Sequence, residues 1–379
     1  MQLSIHHYAR SGDWDQPPEG ALDSPSTVLF IFAGTRCPVL EQALADLRVR
    51  FPLAHWIGCS TAGEILGAVL DDDSLVVGIV RFDKARVRSL QERIGPEHGA
   101  FEAGRAIARA LAEPDLKGIF VLADGLAVNG SELAKGLAGE LPAGLPVSGG
   151  LAADGDRFGE TWVIADKAPQ AERVVAIAFY GDDVGMACNY RGGWDVFGPE
   201  REVTRASGNV LYTLDDQPAL ALYRKYLGER AAELPAAGLL FPLAIRNELE
   251  VDGLTVRTIL ATNEAEQSIT FAGDIPQGSF VRMMRANRDR LIDGATGAAD
   301  GVCSSVGMAG LTLCLAISCI GRRLVLGQRC EEELEAVLDT LPKSCRMIGY
   351  YSYGELSPLS SGRCDLHNQT MTLTLLWEN

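Results

Sequence analysis

The sequence carries little positive charge for its size. Lysine and arginine together number 34, against 50 aspartate and glutamate residues in 379, which gives a formal net charge of −16. A protein that binds nucleic acid or anionic lipid needs a basic surface facing the phosphate groups. We therefore expect neither nucleic acid nor a membrane among the partners of this chain.

A long apolar run is also missing. The longest one, around residues 308–320, is too short to span a bilayer and alternates as a strand does. Residues 1–20 are polar and lack the apolar core of a secretory signal. The nine cysteines are scattered and odd in number, which indicates reduced thiols rather than a disulfide framework. These absences predict a cytoplasmic protein.

What is present is one plan that occurs three times: an apolar strand, a helix, and a second strand that runs into a glycine turn. The three copies cover residues 28–64, 118–150 and 311–355, and a further apolar strand follows each copy, at 74–82, 174–180 and 370–376. Additional helices are predicted at 101–112 and 283–296. The spacing from Gly58 to Glu64 equals that from Gly349 to Glu355. We predict that these two segments occupy equivalent places in related β-α-β units.

The pattern changes between the second and third copies. Ala219–Leu227 reads as a short helix, and residues 246–278 alternate between apolar and polar side chains, punctuated by turn residues. The predicted fold class is α/β, with two packed domains built partly from repeated β-α-β units and some antiparallel strands in the C-terminal half. The domain boundary is placed near residue 220.

Several short motifs follow one another in a specific order. They are residues 58–65, 149–156, 193–194, 321–327, 353–358 and 366–371. In this order the chain resembles the FIST family, with a FIST N-terminal domain over residues 25–220 and a FIST C-terminal domain over 221–379. The resemblance implies a ligand-sensing protein of signal transduction.

Stand-alone members of that family include haem-binding sensors of nitric oxide. The resemblance therefore implies haem b as the cofactor and a diatomic gas as the ligand. It also implies a separate histidine kinase as the partner, within a two-component system.

His367 is the candidate for the proximal haem ligand. It is one of five histidines and lies in a polar motif just before the terminal strand, where a neutral imidazole could bind iron. Tyr351, Tyr353 and Cys364 are the other haem-binding candidates. Strand alternation places Tyr351 and Tyr353 on one face and Tyr350 on the other.

The same motif has two further interpretations. His367 and Asn368 could hydrogen-bond the turn that fixes the last strand. Cys364 and His367 also have a metal-like spacing, although a structural zinc site usually needs a second close pair of ligands.

Residues 58–63 invite comparison with a nucleophile elbow. Ser60 lies two residues after Gly58 but three before Gly63, so the Gly-x-Ser-x-Gly spacing is broken. A cysteine hydrolase would use Cys59 and a histidine base from elsewhere in the chain. We predict that the chain is not an enzyme, with a cysteine hydrolase as the minor alternative.

Glu64 and Glu355 could each cap a helix or bind a ligand amine. Together with Cys59, Ser60 and Asn368 they are the candidates for lining a ligand pocket. They suit the main alternative function, a haem-free sensor of a small polar metabolite such as an amino acid, held between the two halves.

Overall fold

The computed structural model describes residues 1–95, 98–234, 236–246, 254–304 and 310–379. Two predicted segments fall partly outside the described residues: 308–309 of the apolar run, and 247–253 of the alternating region. The chain folds into three related units and one inserted antiparallel sheet, which confirms the predicted α/β class. Within the described ranges, no helix is both long and apolar enough to cross a membrane.

The first two units follow one another along the chain. The first contains β1 (Gln2–Tyr8), β2 (Thr27–Gly34), α1 (Leu40–Arg50), β3 (His55–Thr61), β4 (Glu64–Leu66), β5 (Val69–Asp71) and β6 (Leu75–Arg81). The second contains β7 (Arg86–Arg93), α2 (Ala100–Leu111), β8 (Leu116–Ala123), α3 (Gly130–Glu140), β9 (Val147–Leu151), β10 (Val163–Ala165), β11 (Ala168–Gln170) and β12 (Arg173–Tyr180).

The third unit begins with β13 (Val184–Arg191) and is then interrupted by the inserted sheet. The inserted sheet contains β14 (Asp195–Ser207), β15 (Val210–Leu214), β16 (Gln217–Pro218), α4 (Ala219–Leu227), β17 (Leu243–Arg246), β18 (Leu254–Arg257), β19 (Ile259–Asn263), β20 (Ser268–Phe271) and β21 (Phe280–Arg285). The unit resumes with α5 (Arg288–Ser304), β22 (Thr312–Cys319), α6 (Ile320–Leu326), α7 (Cys330–Thr340), β23 (Cys345–Ser352), β24 (Glu355–Pro358), β25 (Cys364–His367) and β26 (Met371–Glu378).

Each unit contributes four strands to its own sheet. A parallel pair (β2 and β3, β8 and β9, or β22 and β23) is flanked by an antiparallel return strand (β6, β12 or β26). The fourth strand of each unit, which is β1, β7 or β13, forms one edge of the sheet. Helices cover the outer faces, so the parallel strands are buried on both sides and read as continuous apolar runs.

The three units exchange hairpins in a cycle. The first unit's β4–β5 hairpin pairs with β23 of the third, and the third unit's β24–β25 hairpin pairs with β9 of the second. The second unit's β10–β11 hairpin pairs in turn with β3 of the first. The sheet of each unit is therefore completed by a hairpin from a neighbouring unit, which interlocks the three units.

A glycine stands at the same place in each parallel pair. The facing residues are Gly58 and Ile31, Gly149 and Val121, and Gly349 and Ala316. A Cβ added at any of the three glycines would overlap the carbonyl oxygen of the facing residue. The predicted equivalence of segments 58–64 and 349–355 is confirmed, and the second unit joins them through Gly149.

The structure corrects one predicted helix boundary. The helix predicted at 283–296 was wrong at its start, because Met283–Arg285 belong to β21 and α5 begins at Arg288. The Asn287 side chain accepts hydrogen bonds from the Asp289 and Arg290 amides, which sets that start. Residue 220 lies within α4 of the inserted sheet, and the division of the chain at that point stays a prediction.

Candidate functional site

Glu64 and Glu355 hold equivalent turns, each at the start of a return strand. Glu64 accepts hydrogen bonds from the amide and hydroxyl of Ser74, both at 2.9 Å, and from the Thr61 hydroxyl. Glu355 accepts from the amide of Thr370 at 3.3 Å, from its hydroxyl at 2.8 Å, and from Ser352. Burial raises the pKa of each carboxyl to about 8. Both side chains therefore tie a turn to its own unit rather than capping a helix.

In the second unit, a different residue holds the segment before the return strand. Val163 takes the place that Glu64 and Glu355 have in the pairing, so no carboxylate is available there. Asp124, just after β8, accepts a hydrogen bond from the Glu172 amide at 2.7 Å instead. The sequence did not indicate Asp124, because this residue follows β8 and lies far along the chain from Val163, whose place corresponds to that of the two glutamates.

Three of the sequence motifs converge on one polar cleft, which we call the junction cleft. It has a volume of about 590 Å³. The first unit contributes residues 61–64, 72 and 73, the second contributes 155–157, and the third contributes 320, 323, 324 and 327. The cyclic exchange of hairpins explains how segments so distant in sequence come to share one cleft.

The junction cleft contains charges of both signs. Arg323 donates to both carboxylate oxygens of Asp72 at 2.7 Å and to the Ala62 carbonyl. These hydrogen bonds lower the pKa of Asp72 below its usual value. The other charged side chains at the cleft are those of Arg10, Asp73, Asp156 and Arg157. Three cations and three exposed or half-buried carboxylates thus face one space.

An apolar cavity of about 660 Å³ adjoins the junction cleft and shares Asp156 and Leu324 with it. It lies between α6, the loop after β9 and the inserted sheet. Three large apolar side chains are exposed along it: Phe158 at 45%, Leu260 at 41% and Leu324 at 44%. Apolar side chains exposed together mark a binding surface more often than singly exposed ones do.

Tyr353 contacts the loop after β9, which carries Phe158. Its hydroxyl donates to the Gly155 carbonyl at 2.9 Å and to the Asp154 carboxylate, and its ring stacks on Phe158 at 4.7 Å. Phe158 itself has a φ of 50°, a conformation that a bulky side chain rarely adopts. Tyr353 therefore positions an apolar residue at the mouth of the cavity.

The candidate residues of β3 and β23 are buried, namely Cys59, Ser60, Tyr350 and Tyr351. Tyr351 donates to Glu333 at 2.9 Å. Tyr351 and Tyr353 pack in one core cluster and Tyr350 in another, which confirms the predicted alternation of faces. Ser60 accepts from the Trp162 amide at 3.1 Å. Cys59 is fully buried, and burial raises the pKa of its thiol. A reactive cysteine needs the opposite shift, so Cys59 gives no support to a cysteine hydrolase.

His367 lines a second, smaller space, which we call the Asn368 cavity. Its volume is about 290 Å³, and its polar lining consists chiefly of Arg191, Trp194, Thr255, Arg290, Asn368 and Thr370. The His367 ring packs on Tyr190 at 3.8 Å, and its Nε2 lies 3.0 Å from the Ser357 carbonyl, to which it donates. Burial lowers the pKa of His367 to about 4. The imidazole is therefore neutral at pH 7.

The four haem-binding candidates do not form one pocket. Tyr353 stacks on Phe158 of the apolar cavity, Tyr351 is bound to Glu333, and Cys364 is buried with a raised pKa. His367 faces the Asn368 cavity, but its Nε2 is engaged by a carbonyl, and the cavity is at the lower limit for a drug-sized ligand, about 300 Å³. As a set, these residues do not fit a haem group.

Several residues that line these three spaces were not predicted from the sequence. Arg157 and Phe158 directly follow the motif at 149–156, Arg323 and Leu324 lie inside the motif at 321–327, and Trp194 ends another motif. The motifs therefore signalled the right segments, but nothing in them indicated which side chains face outward.

Comparisons with known proteins identify the family of the chain. A model of the FIST N domain matches residues 27–217, and a model of the FIST C domain matches residues 219–358. FIST domains are associated with sensing in signal transduction. The uncharacterized protein MJ1623 of Methanocaldococcus jannaschii is 24% identical over 296 residues, which cover 70% of this chain and 55% of that protein. The chain thus spans about half the length of this curated relative.

A cyanuric acid hydrolase from A. caulinodans aligns with 100% of this chain and 99% of its own, with a TM-score of 0.37 and 8% identity. A likeness at this level assigns no reaction to the chain. The prediction that the chain is not an enzyme is withdrawn with this match to a hydrolase.

Proposed function

Since the chain belongs to the FIST family, we propose that it is a sensor whose small-molecule ligand binds in the junction cleft and the apolar cavity beside it. The convergence of three motif segments on this one cleft carries the proposal. The segments come from three different units, and a shared packing role would not require them to meet at the surface.

The chemistry of the two adjoining spaces suggests the class of ligand. The polar end presents Arg10, Arg157 and Arg323 together with three carboxylates, so it suits a head group that carries both charges. The other end is apolar and exposed. An amino acid with a large apolar side chain meets both requirements, which agrees with the metabolite-sensing alternative.

The position of the cavity suggests how binding would be signalled. One wall belongs to the second and third units, through Phe158 and Leu324, and the opposite wall belongs to the inserted sheet, through Leu260. A ligand that contacts both walls favours the arrangement in which they are close. A signalling partner that contacts the inserted sheet would then respond to the ligand.

Isothermal titration with phenylalanine, leucine and glycine tests the proposal on the full chain. Phenylalanine and leucine are expected to bind, and glycine, which has no apolar side chain, to bind at least tenfold more weakly. Leu324→Asp places a charge against the apolar ligand and should weaken binding at least tenfold. Hydrogen exchange in β19 should slow when the ligand is bound.

Leu53→Asp is the matched control, because Leu53 is 60% exposed and lies at the opposite end of the first unit, before β3. This variant should bind as wild type does. The proposal fails if no apolar amino acid binds, or if binding is unchanged in both Leu324→Asp and Arg157→Ala.

Haem-dependent sensing of nitric oxide and a histidine kinase partner stay predictions that rest on the resemblance, and a cytoplasmic location stays a prediction that rests on the composition of the chain. His367 is neutral and lines a cavity, but the four residues that the resemblance implies for haem do not meet in one pocket. Hemin titration followed by absorption tests haem binding: a stoichiometric Soret band that shifts in His367→Ala would support the gas sensor, and its absence would exclude it.

A further inference from the structure

The Asn368 side chain is buried without hydrogen bonds. The residue is 1% exposed, and neither its Oδ1 nor its Nδ2 has a partner among the described residues. An amide that leaves water without new hydrogen bonds destabilises a folded protein, and buried polar groups of native proteins are nearly always bonded. Because this side chain lines the Asn368 cavity, its missing partner belongs in that space.

The charges around the cavity are cationic. Arg191 and Arg290 line it, and none of the described lining residues is acidic. Arg191 donates to the Tyr190 carbonyl at 2.9 Å and to the Asn189 amide oxygen at 3.3 Å, both uncharged. Arg290 lies 3.2 Å from the Asp195 carboxylate, outside the lining, which offsets part of its charge. His367 is neutral, so the described residues that line the cavity carry a net positive charge.

The walls of the cavity are held rigidly. Trp194 donates from its indole nitrogen to the Gln369 carbonyl at 2.9 Å. The fully buried Arg322 donates to the carbonyl of Gly192, which lines the cavity, and to the carbonyl of Gln369, which follows Asn368. A space that is fixed in this way keeps its shape when it is empty, and this lowers the cost of binding.

The size of the cavity limits the ligand. At roughly 30 Å³ per water in the liquid, a volume of about 290 Å³ holds the equivalent of about ten waters. That space admits a molecule of a few carbons and is small for a macrocycle. A second hydrogen-bonding group besides the anion is needed to satisfy both atoms of the Asn368 amide.

We propose that the Asn368 cavity is a second binding site, distinct from the junction cleft, for a small carboxylate that also carries a hydroxyl group, which can donate to Oδ1 of the amide and accept from its Nδ2. The carboxylate lies toward Arg191 and Arg290, and the second group bonds the Asn368 amide. Trp194 and Tyr190 enclose the short carbon chain. The site is independent of the ligand proposed for the junction cleft.

Titration calorimetry of the full chain with lactate, malate and acetate tests this site. Lactate or malate should bind, and acetate, which lacks the second group, should bind at least tenfold more weakly. Asn368→Leu should abolish binding. It should also raise the unfolding midpoint of the ligand-free protein, because it removes an unsatisfied buried amide. A role of Asn368 in holding the fold predicts the opposite shift.

Arg191→Ala should weaken lactate or malate binding at least tenfold. This variant keeps the Asn368 amide, so it tests the cation separately. Its matched control is Arg346→Ala, since Arg346 likewise donates to backbone carbonyls, those of Lys343 and Cys345. Leu324→Asp in the junction cleft should leave this binding unchanged, which separates the two sites. The inference is overturned if no hydroxy acid binds, if Asn368→Leu binds as wild type does, or if the cavity takes up stoichiometric hemin instead.

Discussion

Two turns occupy equivalent places in the first and third units and carry different chemistry. Asp71 pairs with Glu64 as His367 pairs with Glu355, and the third residue of each turn has a positive φ, 54° at Asp73 and 64° at Gln369. The backbone and the supporting glutamate are thus the same. The middle residue differs: Asp72 is bound by Arg323, whereas the Asn368 amide has no partner among the described residues. One turn is satisfied within the protein, and the other presents an unsatisfied amide to a cavity.

Two neighbouring arginines of α6, Arg322 and Arg323, each stabilise one of these turns. Arg323 is partly exposed and holds the acidic turn by its ion pair with Asp72. Arg322 is fully buried, pairs with Glu333, and binds backbone carbonyls around the amide turn. Because Arg322 reaches only the backbone there, it fixes the turn without occupying the cavity. The comparison predicts that the two arginines differ strongly in their contribution to stability.

Arg322→Ala should produce the largest effect. It leaves the buried Glu333 carboxylate without its cation and removes the donors to the carbonyls of Gly192, Gln369 and Leu291. Breaking one side of a buried ion pair typically costs about 3–5 kcal/mol. Urea unfolding monitored by circular dichroism should show this loss in the free energy of unfolding.

Arg323→Ala is the neighbouring control for that measurement. Its partner Asp72 is 52% exposed, so the loss should be about 1 kcal/mol or less. Equal losses in the two variants would contradict the division of support between the two turns.

The supporting glutamates should give the next largest effect, as a dependence of stability on pH. Burial raises the pKa of Glu64 and Glu355 to about 8, from 4.5 in the unfolded chain. A raised carboxyl pKa means that the folded state holds a proton that the unfolded state has released. Their contribution to stability is therefore complete below pH 4.5 and is lost as the pH rises through 8.

Within that window, each glutamate should lower the free energy of unfolding by about 1 kcal/mol for every rise of one pH unit. Glu64→Gln and Glu355→Gln should each remove that residue's contribution to the slope of the unfolding free energy against pH, measured at pH 6, 7 and 8. Similar changes in the two variants would support the equivalence of the turns. A flat wild-type profile would show that the two carboxyls ionise in the folded protein as they do in water.

The sequence predicted the repeated units because their signal is local. The spacing from Gly58 to Glu64 recurs from Gly349 to Glu355, and a glycine is needed wherever a carbonyl approaches the facing strand. The helices and parallel strands follow from apolar periodicity in the same way. These features depend on residues close together along the chain.

The exchange of hairpins was not predictable, because it pairs segments that are far apart. Glu64 in β4 lies opposite Tyr350 in β23, and no short-range pattern indicates that partner. The second unit also has a longer connection between β9 and β10, and this loop contributes Arg157 and Phe158 to the two adjoining spaces. The candidate site therefore arises from long-range pairing and from the part of the repeat that breaks the pattern.

Asp72→Asn should give the smallest effect and sharpens the comparison directly, because it makes the acidic turn resemble the amide turn. The hydrogen bonds from Arg323 lower the pKa of Asp72, so the stabilising contribution is present above pH 3.8 and is lost as the pH falls. At pH 7 the variant should lose about 0.5–1 kcal/mol, since the pair is half exposed. The difference from wild type should shrink in acid and in 1 M salt, where surface charges are screened. Asp182→Asn, which removes a carboxylate 95% exposed beside Lys117, should change stability less. A loss well above 1 kcal/mol for Asp72→Asn would mean that the acidic turn, like the amide turn, depends on a buried contact.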